Sequence, residues 1–265
     1  MPDFQIVAAV NDDAVLAANL LKSPAISNST IPCSAERDRP SASVAFNAAL
    51  ARASSPYIAF VHQDVYLPEG WDRRLMRAID HLNAHDPMWG VLGVVGIDPK
   101  GDFVGEIWDN GLSQRIGRRI EIPTPASAID EIVIVIRMAS GLRFDAALPG
   151  YHLYAADIIQ IAREQNLSTY VFNGPVIHNS LPVGQLDRSY RAAYRYMQRK
   201  WRRFLPVPTC VVPVTASQWP LWKRWCKVAK RELFRRAPPP HRHPDPASLA
   251  ATLGYTATDP ISHTA

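Results

Sequence analysis

Cysteine is scarce: three in 265 residues (Cys33, Cys210 and Cys226), far apart and with no CxxC pair. That excludes a disulfide framework and a zinc knuckle, and it fits a reducing compartment. Long apolar runs are also missing, since no stretch approaches the roughly 18 residues that span a bilayer. Met1-Pro2-Asp3 shows neither the basic nor the apolar part of a secretory signal. A cytoplasmic protein is therefore expected. The glycine-rich fingerprints are absent as well: there is no GxSxG elbow, no GxGxxG and no GxxxxGKS/T loop, and no HExxH. Hydrolase, dinucleotide-dependent, Walker-type and zinc-protease chemistries thus lack the residues they need.

Acidic charge is missing from one region in particular. Between Arg191 and Arg236, thirteen Lys and Arg stand against the single acid Glu232, so this stretch carries +12 and the remainder −7, for a net +5. The basicity is local and does not read as a general affinity for nucleic acid. Tyr190, Tyr194, Tyr196 and Trp201 are interleaved with it, but no nucleic-acid module surrounds them.

What is present is a chain with 47% hydrophobic and 20% charged residues, the composition of a globular protein with a sizeable core. Short apolar runs without helical period predict strands at 4–10, 57–61, 91–96, 132–136 and 169–172. Helices are expected at 14–21, 43–53, 68–83 and 155–165. Residues 26–40 read as loop, and residues 98–128 as excursions around a site. Strands alternating with helices argue a mixed, mainly parallel α/β sheet with helices on both faces. After Pro206 the character changes. Residues 219–236 predict an amphipathic basic helix, ended by Pro238-Pro239-Pro240, and the segment to Ala265 reads as a flexible Pro-rich tail. The domain boundary is placed at 208, with 209–265 as the appendage.

Open α/β sheets hold ligands at the carboxyl ends of their strands. The polar residues there are Asn11 and Asp12, then His62 and Asp64, then His178. His62 and Asp64 are two apart in an extended segment and point the same way. An imidazole and a carboxylate so placed suit a divalent cation. Asp157 lies in a helical first turn, where the dipole favours an acid.

Several blocks stand in order along the chain: Ala45 to Leu50, Phe60-Val61-His62-Gln63-Asp64-Val65-Tyr66-Leu67-Pro68, Asp130 to Val135, Leu142 to Asp145, Gly150 to Asp157, His178-Asn179-Ser180, and Arg199-Lys200-Trp201 with Leu205-Pro206. Taken together, they resemble family 2-type glycosyltransferases. The likeness is greatest to the streptomycin-biosynthesis-type subfamily, in which the usual DXD reads HQD. It covers about residues 4–208. It implies a GT-A fold that moves a sugar from a nucleotide-diphosphate donor to an acceptor hydroxyl with inversion, aided by Mn²⁺ or Mg²⁺.

By position, the resemblance assigns Asp64 to the metal on the diphosphate, His62 to the place of the first DXD acid, and His178 to a further metal or phosphate contact. Asp157 becomes the general base, Asn11 a nucleoside contact, and Asn47 part of a helix facing the nucleotide. Glu36 and Asp38 are candidates for gripping the base. A glycan or lipid-linked glycan acceptor is expected, with no nucleic-acid partner. The tryptophan-rich basic helix at 219–236 suggests contact with an anionic membrane and a peripheral place on its inner face. The alternative is an inactive GT-A-like domain that binds a nucleotide sugar or glycan.

Overall fold

The computed structural model describes residues 3–28, 31–182, 186–233 and 241–255. Its strands are β1 (Phe4–Ala9), β2 (Cys33–Glu36), β3 (Tyr57–Val61), β4 (Val65–Tyr66), β5 (Trp89–Gly93), β6 (Val95–Ile97) and β7 (Phe103–Asp109). They continue with β8 (Gln114–Arg118), β9 (Thr124–Pro125), β10 (Ala128–Ile129), β11 (Val133–Arg137), β12 (Ser168–Val171) and β13 (Val176–His178). The helices are α1 (Asp13–Ala18), α2 (Pro24–Ser27), α3 (Ala42–Arg52), α4 (Trp71–His85), α5 (Tyr154–Glu164), α6 (Arg188–Lys200), α7 (Trp219–Leu233) and α8 (Pro246–Thr252).

The larger sheet has the order β2-β1-β3-β11-β5-β12-β9, and five of its seven strands run the same way. Alternation along the strands builds a core on each face. Val7, Ile58, Phe60, Ile134 and Ile136 pack with α3, α5 and α6. Ile6, Ala59, Val61, Val133 and Val135 pack with α1 and α4. Each fully buried Val, Ile or Phe among them contributes about 1.5–3 kcal/mol. The expected mixed, mainly parallel sheet with helices on both faces is therefore the fold observed.

A second sheet, β10-β6-β7-β13-β4 with β8 paired to β7, occupies much of the region read as excursions. Its centre depends on Gly105, in a left-handed conformation (φ 78°) where a Cβ would strike the Val94 carbonyl. This glycine lets one strand carry β6 and β8 on opposite edges. Three further elements differ from expectation: β2 lies in the predicted loop, the strand expected at 91–96 divides at Val94, and α6 was not foreseen.

α7 covers the described part of the expected basic helix, while 234–240 and 256–265 lie outside the described residues. Flexibility was expected throughout the tail, but residues 241–255 pack onto the domain. Asp245 caps α8 by accepting from the amides of Ala247 and Ser248, with Pro246 at its first turn. Ala250 and Tyr255 are buried against Tyr66 and Ile177. The Pro- and His-rich composition hides a short capped helix with its own apolar contacts.

Candidate active site

Strand register assembles the site. β1 and β3 are parallel neighbours, so Asn11 and His62-Gln63-Asp64 leave the sheet at the same edge. The Gln63 side chain ties the two loops, accepting from the amides of Asn11 (3.0 Å) and Asp12 (3.1 Å) and donating to Asn11 Oδ1 (2.5 Å). β4 then pairs Val65 with His178 of β13, and β13 pairs His178 with Asp109 of β7. His178 is thereby set between two carboxylates. Its Nδ1 lies 2.8 Å from Asp109 Oδ2, and its Nε2 lies 3.5 Å from Asp64 Oδ1.

His62 is held differently. The Tyr154 hydroxyl donates to the Glu131 carbonyl (3.1 Å) and lies 2.7 Å from His62 Nε2. With its only proton committed, that hydroxyl accepts from Nε2–H, which leaves the lone pair of His62 on Nδ1. Burial pushes the His62 imidazole down to about 4, so the ring is neutral at physiological pH. Burial also opposes the charge on His178, but Asp64 and Asp109 outweigh it and raise that imidazole to about 10. Asp64 is pushed up by burial, yet the His178 and His62 rings and the Arg242 guanidinium bring it well below the usual carboxylate range.

A cavity of about 550 Å³ opens beside the cluster. His62 and His178 form one wall, and Asp109, Asp130 and Glu131 contribute carboxylates. Burial, reinforced by Asp130, raises the Glu131 carboxyl to about 8, while the amides of Leu153, Tyr154 and Ala155 at the start of α5 pull it down. Asp130 is raised too, again chiefly by burial.

Other expected site residues lie elsewhere. Asp157 is 1% exposed and does not line the cavity, although Ala155 and Ala156 do. Both its oxygens are engaged: Lys200 Nζ donates at 2.7 and 2.9 Å, and Trp201 Nε1 donates at 2.7 Å. The geometry therefore gives Asp157 the place of a core carboxylate that ties α5 to the end of α6. To act as the expected general base, this carboxylate would have to exchange these partners for an acceptor hydroxyl. Asn47 is likewise occupied, exchanging hydrogen bonds with the backbone of Phe144 at 2.7 and 2.9 Å. Glu36 is buried and paired with Arg39 and Arg52.

Three residues that sequence reasoning passed over complete the cluster. Asp109 is the last residue of β7, a strand that Gly105 and Glu106 disguise in the sequence, so the strand-end rule had no strand to act on. Arg242 comes from the segment before α8, and its NH1 donates to Asp64 Oδ2 (3.0 Å) and to the Asn179 carbonyl (2.6 Å). Glu131 was part of a quoted block but was not singled out.

A divalent cation here requires His178 to give up its Nε2 proton, because a charged imidazole has no lone pair to offer. With one atom from each of His62, Asp64 and His178, all three donors lie within 4.8 Å of one another. Imidazole nitrogen and carboxylate oxygen are both ligands for divalent metals. Asp109 behind His178 is the outer carboxylate that commonly orients a ligating histidine.

No family model matches this chain. A protein of Fuscovulum blasticum described as ATP synthase subunits region ORF 6 is 24% identical over 166 residues, covering 59% of this chain and 64% of that relative. The chain thus matches less than two thirds of that protein's length. Among solved structures, the chain is similar to S. aureus TarS in complex with UDP (TM-score 0.45, 12% identity, 88% of this chain and 72% of that one). It is also similar to the mannosyltransferase PcManGT from Pyrobaculum calidifontis in complex with GDP-Man and Mn²⁺ (TM-score 0.43, 12% identity, 95% and 79%). A third is GalNAc-T7 with UDP, GalNAc and Mn²⁺ (TM-score 0.41, 11% identity, 85% and 54%).

Proposed function

We propose that the chain is a GT-A-type glycosyltransferase that takes a sugar from a nucleotide-diphosphate donor, with a divalent cation at His62, Asp64 and His178. The observation that carries this reading is the cluster itself, set at the carboxyl edge of the sheet, with His62 and His178 lining a cavity to which Asp109, Asp130 and Glu131 contribute carboxylates. A cation bound there supplies positive charge to the departing diphosphate. Asp64 and His178 orient the diphosphate end of the donor, and His62 offers its Nδ1 lone pair from the cavity wall. Asn11, locked to Gln63 at the same edge, is the nearest of the expected nucleoside contacts.

An acceptor hydroxyl is a weak nucleophile and needs a carboxylate within reach to take its proton as it attacks. We assign that role to Glu131. It lines the cavity, and its surroundings hold its carboxyl near neutrality, where a base is both available and strong enough. Base and leaving group on opposite sides of the sugar give inversion.

The partner surface we propose is α7. Trp219 and Trp222 are each 53% exposed and Trp225 43%, and the first two rings stack. Val228 is buried and Leu221 is half-buried against the core, so the helix is anchored by a different stripe. Exposed Lys223, Lys227 and Lys230 complement anionic headgroups. Such a surface suits an enzyme working on lipid-linked or surface glycans.

The test is incubation with a panel of UDP-, GDP-, CDP- and dTDP-sugars and Mn²⁺, following release of the nucleoside diphosphate. Metal-dependent release from one donor class, lost in Asp64→Ala, supports the reading. No release and no donor binding by the folded protein would overturn it.

A further inference from the structure

Arg242 reaches the cluster from a segment 178 residues beyond Asp64. We propose that its guanidinium is the diphosphate-binding cation of this site, so that the site is incomplete without the C-terminal segment. This rests on the nucleotide-sugar reading above and adds to it a residue, a ligand group and the part of the chain that delivers it.

The guanidinium is held on one side and open on the other. NH1 makes both of its contacts, to Asp64 Oδ2 and the Asn179 carbonyl. Among the described residues nothing pairs with Nε or NH2, and the side chain is 29% exposed. A planar fork with donors to spare matches phosphate oxygens better than an ammonium does. Its position fits that use, because Asp64 directs Oδ1 towards His178 and Oδ2 towards Arg242. A cation on the Oδ1 side and the guanidinium on the Oδ2 side would meet the same diphosphate from two directions.

The backbone on either side of Arg242 is fixed by specific hydrogen bonds. Asn110 Nδ2 donates to the His241 carbonyl (2.6 Å). The Asn179 amide accepts from His243 N (2.7 Å) and donates to the His243 carbonyl (2.9 Å). Asn179 is 1% exposed, so these bonds are sheltered from water. Downstream, Arg115 NH2 donates to the Leu253 carbonyl (2.9 Å) and its guanidinium lies over the Tyr255 ring. The segment is thus ordered before ligand arrives, which lowers the entropic cost of using a long side chain as a phosphate ligand. A partly exposed ion pair contributes little to stability, so stability alone is a weak reason for this arrangement.

The test is calorimetric titration of UDP and GDP, and of UMP and GMP, in the presence of Mn²⁺, against wild type, Arg242→Gln and Arg242→Lys. For whichever base binds, Arg242→Gln should weaken the diphosphate about tenfold or more and the monophosphate about twofold or less. Arg242→Lys should recover part of the loss, and it serves as the reading should the glutamine variant fail to fold. Mn²⁺ affinity without nucleotide, read by electron paramagnetic resonance, should not fall in Arg242→Gln, since the substitution removes a positive charge from beside Asp64. Equal weakening of mono- and diphosphate, or no change in either, overturns the assignment while leaving the glycosyltransferase reading intact. Absence of any diphosphate binding by wild type overturns both.

Discussion

Replacing Asp157 separates a core carboxylate from a general base. In Asp157→Ala the Trp201 indole N–H, on a residue 2% exposed, loses its acceptor at 2.7 Å. An unsatisfied buried donor costs about 1–3 kcal/mol. Lys200 loses one of its two carboxylates but keeps Asp145 at 2.7 Å, so its charge is not stranded. The sum is about 3 kcal/mol, at the lower edge of the range for breaking a buried pair. At about 2–4 °C per kcal/mol for a domain of this size, the melting temperature should fall by about 6–12 °C. Asp157→Asn keeps an acceptor for Trp201 and should cost roughly half as much. Thermal melts by circular dichroism, with urea midpoints as a second measure, read both variants. Should both melt within about 1 °C of wild type while sugar transfer collapses, Asp157 is the base and the role given to Glu131 is wrong.

Glu131→Gln should abolish transfer while donor affinity changes little, read by turnover and calorimetry on the same preparation. Because a base must be deprotonated, wild-type turnover should rise with pH and level off above about 8. The stability consequence has the opposite sign. A carboxyl raised in the fold binds its proton more tightly than in the unfolded chain, so stability falls as pH climbs from the ordinary value of 4.5 to about 8. Glu131→Gln should flatten that slope and be the more stable protein in alkaline urea titrations. For α7, Trp222→Ser with Lys223→Glu should lower co-sedimentation with phosphatidylserine-containing vesicles about tenfold or more without moving the melting temperature. Unchanged sedimentation would remove the membrane from the picture.

Most of the central sheet was legible because β1, β3, β5, β11 and β12 are short, largely apolar runs, as in Ile132 to Ile136, whereas its outer strands β2 and β9 are short and polar or half-exposed and were not. The second sheet was not, because Gly105, Gly117 and the charges of β8 break the alternation that marks a strand. At the site, Asn11 and His62 could be read because each follows an apolar run directly, and Asp64 because it stands two residues beyond His62. The partnership of His178 with Asp109 depends on the register of β13 against β7, which sequence spacing does not encode. The surroundings of Asp157 were hidden for a similar reason. Its place in a helical first turn is visible, but the direction of its side chain depends on Lys200 and Trp201, more than forty residues away. Arg242 sits in a Pro- and His-rich stretch whose composition argues for disorder. The one local sign to the contrary was Asp245-Pro246, a helix start ahead of Leu249, Ala250 and Leu253.

The measurement closest to the central claim is calorimetric binding of UDP, GDP, CDP and dTDP to wild type and Asp64→Ala, each with and without Mn²⁺. One nucleotide should bind, with affinity strengthened by Mn²⁺ and lost on substitution of Asp64. Failure of all four to bind the folded wild-type protein, with or without metal, would contradict a nucleotide-sugar site at His62, Asp64 and His178.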